Sequence, residues 1–186
     1  AMSQPGCTVW FTGLPCSGKT TITKRVEDEL KHRGVKVERL DGDELRAHFS
    51  AGMGFSRQDR SAHVRRVAYV CHLLVKHGVT VLVALVSPYR EDRDYARQLI
   101  TTGAGGGGRF IEVFLDCPLE VCMQRDVKGL YQQAVRGDVK QFTGISDPYE
   151  PPLAPEVVLH TDRESPHESA AKLLTLFQQM GILAIR

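Results

Sequence analysis

One short segment constrains the fold of this chain more than any other, and it reads WFTGLPCSGKTT from Trp10 to Thr21. It passes from an apolar stretch into a loop of glycine, proline, cysteine and serine, and it ends on a lysine and two threonines. Such small residues build regular structure poorly, so they indicate a backbone shape that larger side chains would obstruct. The segment therefore predicts a buried strand, a tight loop and a helix, in that order.

The loop fits the pattern GxxxxGK(S/T), the phosphate-binding P-loop. Its backbone N–H groups can turn inward around phosphate oxygens, and a helix that starts near Gly18 adds its positive N-terminal end. Lys19 is predicted to bind the β- and γ-phosphates, and the Thr20 hydroxyl to ligate Mg²⁺. The predicted triphosphate site comprises Gly13, Leu14, Pro15, Cys16, Ser17, Gly18, Lys19, Thr20 and Thr21.

The remainder of the chain alternates apolar strand patterns with segments of helical period. This order favours an α/β fold with a doubly wound, parallel, five-stranded sheet, as in P-loop kinases of nucleoside monophosphates. Strands are predicted at 7–13, 35–43, 79–87, 109–116 and 156–161, and helices at 18–33, 56–77, 91–101, 118–126 and 165–180. The glycine tract at 103–108 is predicted to be a surface loop.

A long segment before the last strand shows little periodicity and is rich in glycine, proline and polar residues. Interior loops of this length are usually functional, so residues 126–155 are predicted to form a lid. The chain is expected to form a single domain over residues 4–186, and residues 1–3 are interpreted as a remnant of expression.

Composition excludes several classes of function. The chain has 186 residues and a net charge of +2, without the concentrated basic segment expected of a protein that binds nucleic acid. It has no apolar run long enough to cross a bilayer and no secretory signal. Its five cysteines form no CxxC pair, which predicts reduced thiols and a cytoplasmic location.

The acids that accompany the P-loop are predicted at Asp41 and Asp43, which close the second strand on either side of Gly42. A parallel sheet places that strand end beside the P-loop, so one acid can serve a hydroxyl or a metal ion, although the same sequence is also a competent turn. The most apolar strand ends at Ser87 without a carboxylate, and the NKxD motif of regulatory GTPases is absent. These features favour a small-molecule kinase.

Eight sequence blocks follow one another along nearly the whole chain: the P-loop, LDGDELR, GFSRQDR, SPYREDRD, FIEVFLDCPLEVC, RDVKGLY, FTGISDPYE and PEVVLHTD. In these blocks and in their order the chain resembles the adenylylsulfate kinase (APS kinase) family. Members of that family transfer the γ-phosphate of MgATP to the 3′-hydroxyl of adenosine 5′-phosphosulfate (APS), which yields PAPS in sulfate activation. The resemblance therefore implies Mg²⁺ as the cofactor and ATP and APS as the substrates.

The resemblance also implies the roles of the catalytic residues. Asp43 would orient or deprotonate the 3′-hydroxyl, and Lys19 would bind the transferring phosphate. Asp41 would support the metal-water shell or the loop, and either Asp41 or Asp43 would contact Mg²⁺ through water.

The APS-binding residues implied by the resemblance are Asp43, Arg46, Phe55, Arg60, His63, Ser87, Lys128 and Phe142. Arg46 and Arg60 would bind the phosphosulfate through forked donors, and Phe55 and Phe142 would stack on the two faces of adenine. Ser87 would contact the nucleoside, and Lys128 would lie near the phosphates at the start of the lid.

Several positions depart from the family pattern. His63 stands where asparagine is common; it can donate one hydrogen bond, or two if charged, so affinity for APS would depend on pH. Gln132 and Gln133 replace two lysines of the lid, and Arg136 is displaced by one position. The early first strand suggests a domain excised from a fusion with ATP sulfurylase, and a homodimer or larger assembly is expected.

Two other functions are compatible with the sequence. A kinase of another nucleotide or of a small alcohol would share the P-loop, but it would need neither the paired arginines nor the paired phenylalanines. A non-catalytic, PAPS-sensing regulatory domain would be expected to have lost P-loop residues, whereas Lys19, Thr20 and Asp43 are intact.

Overall fold

A computed structural model of the chain describes residues 6–105 and 107–183. The strands are β1 (Cys7–Thr12), β2 (Val37–Asp41), β3 (Thr80–Ala84), β4 (Arg109–Leu115) and β5 (Val157–Leu159). The helices are α1 (Lys19–His32), α2 (Gly42–Phe49), α3 (Arg57–Lys76), α4 (Arg90–Thr102), α5 (Leu119–Arg125), α6 (Leu130–Arg136) and α7 (Pro166–Gln179). Residues 1–3, interpreted as an expression remnant, and Gly106 of the glycine tract lie outside the described residues.

The five strands form one parallel sheet in the order β2-β3-β1-β4-β5, which confirms the predicted fold class. Because all strands run in the same direction, their carboxyl ends lie along one edge of the sheet. β1 occupies the centre, so the loop that follows it lies between the loops after β3 and β4. This edge is therefore where a ligand site is expected.

Both faces of the sheet are covered by helices. Along β1, Phe11 packs with Ile22 of α1 and Leu173 of α7, while Trp10 points to the opposite face and packs with Val67 of α3. These side chains are buried almost completely. Burial of apolar side chains from one central strand on both faces makes β1 a rigid support for the loop at its end.

The second strand is shorter than predicted. It ends at Asp41, and Gly42 already begins α2, because the Asp41 side chain acts as the N-cap and accepts a hydrogen bond from the Asp43 backbone N–H at 3.4 Å. The prediction that Asp43 closes the strand is wrong. Asp43 lies in the first turn of α2, where the helix dipole favours a carboxylate.

The predicted lid contains a short helix, α6, that its composition did not predict. Helix α6 lies within residues 126–155, between Gly129 and Gly137, which have φ angles of 68° and 85°. Glycine adopts these left-handed conformations without strain, so the short helix can begin and end abruptly. None of the helices in the described part of the chain is long and apolar enough to span a membrane.

Candidate active site

The P-loop follows β1 and leads directly into α1. Cys16 and Gly18 have positive φ angles of 64° and 108°. The Pro15 carbonyl accepts a hydrogen bond from the Tyr131 hydroxyl at 2.7 Å, and the Cys16 carbonyl accepts one from Arg125 at 3.2 Å. Because the first N–H groups of α1 have no acceptor within the helix, they are available to an anion.

The other residues of the loop hold its shape. Ser17 is buried, and its backbone N–H donates to the Leu14 carbonyl at 3.1 Å. A side chain at Gly13 would bring a Cβ atom within 2.8 Å of the Ser17 hydroxyl and 3.0 Å of the Leu115 carbonyl, so only glycine fits there. Thr21 is exposed on the first turn of α1.

Lys19 folds back over the loop. Its Nζ donates hydrogen bonds to the carbonyls of Gly13 and Leu14, each at 2.8 Å. Burial lowers the pKa of Lys19 to about 8, although nearby groups, including the carboxylates of Asp41 and Asp43, oppose that shift. The ammonium group therefore lies over the P-loop with less solvation than a surface lysine has.

Thr20 and Asp41 place two oxygen ligands side by side. The Thr20 hydroxyl donates to Asp41 Oδ2 at 2.8 Å, and Arg39 contacts the same oxygen at 3.1 Å. Hydroxyl and carboxylate oxygens suit Mg²⁺, which usually takes only one or two protein ligands and completes its shell with phosphate and water. In the described ranges, no group of three histidine, cysteine or acidic side chains is placed to hold a metal ion.

The carboxylates of Asp43 and Asp41 have different side-chain partners. Its carboxylate forms an ion pair with Lys128 of the lid, whereas Asp41 faces α1. Both partners of the ion pair are exposed to solvent, with 77% of the Asp43 side chain accessible. The hydrogen bond to Asp43 raises the pKa of Lys128. The two acids thus serve different regions, one the P-loop helix and the other the lid.

Arg46 and Arg60 meet at one aromatic ring. The Cζ atoms of Arg46 and Arg60 lie 4.3 Å and 5.4 Å from the centroid of the exposed Phe55 ring. Burial, and then the charge of Arg60, lower the pKa of Arg46. Two guanidinium groups on one exposed ring form a compact, positively charged crevice suited to an anion next to a flat apolar group.

Arg60 also joins this crevice to the lid. Its guanidinium donates to the carbonyl that precedes Phe142 and, at 2.9 Å, to the hydroxyl of Thr143, which follows it. The Phe142 ring packs edge-on against Tyr131, with the ring centroids 5.0 Å apart. Phe55 and Phe142 therefore lie in separate clusters that Arg60 connects.

His63 is buried beneath the crevice. Its Nδ1 lies 2.7 Å from the Ser50 hydroxyl, and its Nε2 has no hydrogen-bond partner among the residues that the structure describes. Burial, then the charges of Arg46 and Arg66, lower the pKa of His63 to about 4. The imidazole of the free protein is therefore neutral near neutral pH, so it can donate one hydrogen bond rather than two. Sequence reasoning also missed Ser50, which lies four residues after Arg46.

Ser87 lies in the loop after β3 and is buried against β1. Its hydroxyl accepts a hydrogen bond from Trp10 Nε1 at 3.0 Å, and its carbonyl accepts one from Arg93 at 2.6 Å. The side chain expected at the nucleoside is thus engaged within the protein. Arg93, which sequence reasoning missed, also donates to the Glu150 carbonyl at 2.5 Å and so attaches the end of the lid to α4. Gln132 of the lid is exposed on α6.

Comparison with known proteins identifies the family. The adenylylsulphate kinase family matches residues 5–160. The chain belongs to the adenylylsulphate kinase family. Its activity is accordingly that of a kinase that phosphorylates APS with ATP.

Individual members of the adenylylsulphate kinase family agree closely with this chain. The adenylyl-sulfate kinase of Gloeothece citriformis is 50% identical, over 98% of this chain and 99% of its own length. The Mycobacterium tuberculosis APS kinase in complex with AMPPNP and APS is 41% identical, with a TM-score of 0.89 over 94% of this chain and 98% of that one. The hexameric APS kinase from Thiobacillus denitrificans is 27% identical, with a TM-score of 0.73 over 100% of this chain and 31% of that one.

Proposed function

We propose that this chain transfers the γ-phosphoryl group of MgATP to the 3′-hydroxyl of APS, with Asp43 as the residue that orients the hydroxyl. One observation carries the assignment of Asp43: it lies at the start of α2 between the P-loop and the lid, and it contacts Lys128. The carboxylate is exposed at the edge of the sheet where ligands are expected, so a substrate hydroxyl can reach it.

Phosphoryl transfer through a loose transition state needs positioning and charge neutralisation more than covalent chemistry. Lys19, with the first amides of α1, would bind the transferring phosphate. Asp43 would accept a hydrogen bond from the attacking hydroxyl early and its proton late in the step. Lys128 would leave Asp43 for the phosphates as the substrates bind, which keeps the charge of the site balanced.

Thr20 and Asp41 would hold the magnesium ion of MgATP, Thr20 by direct ligation and Asp41 through a water molecule. When bound, Mg²⁺ neutralises charge on the β- and γ-phosphates. The hydrogen bond between the two side chains holds the threonine oxygen beside Asp41, at the start of the P-loop helix.

The APS side of the site would be formed by the crevice at Phe55. Arg46 and Arg60 would bind the phosphosulfate oxygens, and Phe55 would stack on adenine. Because Arg60 contacts the residues on both sides of Phe142, binding of the anion would be coupled to the position of the lid. We propose that the lid closes Phe142 over the second face of the base.

The test is formation of PAPS from MgATP and APS, with adenosine 5′-monophosphate and a sugar alcohol as competing acceptors and Lys19→Ala as the inactive control. We expect phosphorylation of APS in strong preference to the other acceptors. Phosphorylation of another acceptor instead would favour a kinase of a different substrate. Tight binding of PAPS without turnover would favour the regulatory domain, which the intact Lys19 and Asp43 already disfavour.

We further propose that the chain acts as a homodimer or larger assembly in the cytoplasm. The hexameric state of the Thiobacillus denitrificans enzyme supports self-association within the family. The Gloeothece citriformis relative is matched over 99% of its length, so it lends no support to a fused ATP sulfurylase. Light scattering of the purified chain across a range of concentrations would give the mass of the assembly.

A further inference from the structure

Helices α2 and α3 each contribute two polar side chains to the region around Phe55. On α2 and its C-cap, Arg46 and Ser50 are four residues apart, and on α3, Arg60 and His63 are three residues apart, so each pair lies on one helix face. Ser50 contacts His63, while Arg46 and Arg60 both lie over Phe55. The buried polar pair therefore lies close to Arg46 and to the crevice at Phe55.

The hydrogen bond between Ser50 and His63 has two possible directions. If the Ser50 hydroxyl donates to Nδ1, the ring proton lies on Nε2, which becomes a donor. If Nδ1 donates to Ser50, Nε2 carries a lone pair instead, which repels an anion. Nε2 is buried without a partner among the described residues, and the exposed fraction of His63 is only 4%.

Binding of an anion in the crevice favours the first arrangement. Arg46 and Arg66 face the ring from α2 and α3, and with burial they hold the imidazole neutral. A lone pair on Nε2 would repel an anion bound in the crevice, whereas a neutral N–H can donate to it the hydrogen bond that an asparagine side chain would make.

We propose that Ser50 is a positioning residue, which fixes His63 in the tautomer protonated at Nε2 so that this N–H donates to the phosphosulfate of APS. Ser50 acts through His63 and does not itself contact the substrate. The inference rests on the proposed APS site, and it explains how histidine serves at this position without carrying a charge.

The tautomer can be read directly in the free protein. Long-range ¹⁵N–¹H NMR of the imidazoles distinguishes the two ring nitrogens, and the His63→Asn spectrum assigns the signals of His63. We expect a protonated Nε2 in the wild type. A proton on Nδ1 would overturn the proposal, whether or not the Ser50 variants fold and whatever substrate the enzyme uses.

Steady-state kinetics of the full chain test whether Ser50 affects the KM for APS through His63. In Ser50→Ala we expect the KM for APS to rise about tenfold, the size of one lost hydrogen bond to a charged group, with the KM for ATP unchanged. Ser50→Thr retains a hydroxyl and should restore the wild-type KM. In the His63→Asn background the same Ser50→Ala change should alter the KM for APS by less than about twofold, because the residue through which Ser50 acts is gone.

These outcomes distinguish the proposed role of Ser50 from the proposed phosphorylation of APS. An equal rise in KM in both backgrounds, or none with His63 present, would show that Ser50 does not act through His63. If the wild type forms no PAPS, the proposed function fails, while the NMR result still decides the tautomer. Melting temperatures of all variants identify any loss that is due to unfolding.

Discussion

The Thr20 hydroxyl donates a hydrogen bond to Asp41 at 2.8 Å, so the first turn of α1 is joined to the end of β2 at the edge of the sheet. Asp41 has a second function, because the same side chain caps α2. One carboxylate thus holds together the element that binds phosphate and the element that carries Asp43. This connection allows the roles of the two acids to be separated by experiment.

The first prediction concerns Asp41→Asn. Asparagine is a good N-cap, and its amide nitrogen can donate to the Thr20 oxygen in place of the bond that Asp41 accepts, so the fold should be retained while the charge is lost. We expect the concentration of Mg²⁺ needed for half-maximal activity to rise roughly tenfold, and excess Mg²⁺ to restore most of kcat. Asp28→Asn, which removes an exposed acid elsewhere on α1, is the matched control. A loss of kcat that Mg²⁺ cannot restore would place Asp41 in the chemical step.

The second prediction concerns Asp43→Asn. The substitution keeps size and hydrogen bonding but removes the group that accepts the proton. We expect kcat to fall about 100-fold or more while affinity for APS changes by less than about 1 kcal/mol, since the interaction is made mainly in the transition state. Glu44→Gln changes the neighbouring acid in the same helical turn and should have little effect. If Asp43→Asn retains most of kcat, the acid lies elsewhere.

Sequence reasoning reached the fold because periodicity and the P-loop pattern are local signals. Trp10 and Phe11 predict a buried strand, and Lys19 predicts the start of a helix. Both predictions depend only on neighbouring residues in the sequence. It failed at Asp43 because Gly42 suggested a turn, whereas the Asp41 cap starts a helix there. It could not find Ser50 because the contact with His63 depends on how two helices pack.

The third prediction distinguishes the two arginines of the crevice. Arg46→Ala and Arg60→Ala should each weaken APS binding by roughly 2–5 kcal/mol and leave MgATP affinity nearly unchanged. Only Arg60 also contacts the lid, at Thr143 and at the carbonyl before Phe142, so only its loss should speed hydrogen exchange at residues 139–147. Arg25→Ala on the exposed face of α1 serves as the control. Faster exchange in both variants would mean that Arg46 supports the lid as well.

The fourth prediction concerns the protonation of Lys19. Its pKa is lowered to about 8 in the free protein, and a bound triphosphate will raise it again because the phosphates favour the charged form. Binding of MgAMPPNP should therefore take up close to one proton at about pH 9 and much less at about pH 7. Calorimetry in buffers of different ionisation enthalpy measures that uptake. Lys19→Met should abolish it, and equal uptake by the variant would assign the proton to another group.

The last prediction concerns the stability of the protein in acid. The pKa of His63 is lowered to about 4 from an ordinary value of 6.5, so between those values the unfolded chain binds a proton that the folded chain does not. The free energy of unfolding must therefore fall as the pH decreases from 6.5 towards 4, by up to about 3 kcal/mol from this one group. His63→Asn has no such group, and its free energy of unfolding, measured with urea across this range, should vary less with pH than that of the wild type. His77→Asn removes an exposed histidine and should leave the wild-type slope intact. Parallel curves for the wild type and His63→Asn would show that the imidazole is not held neutral, and the crevice behind Arg46 and Arg60 would then carry a third positive charge.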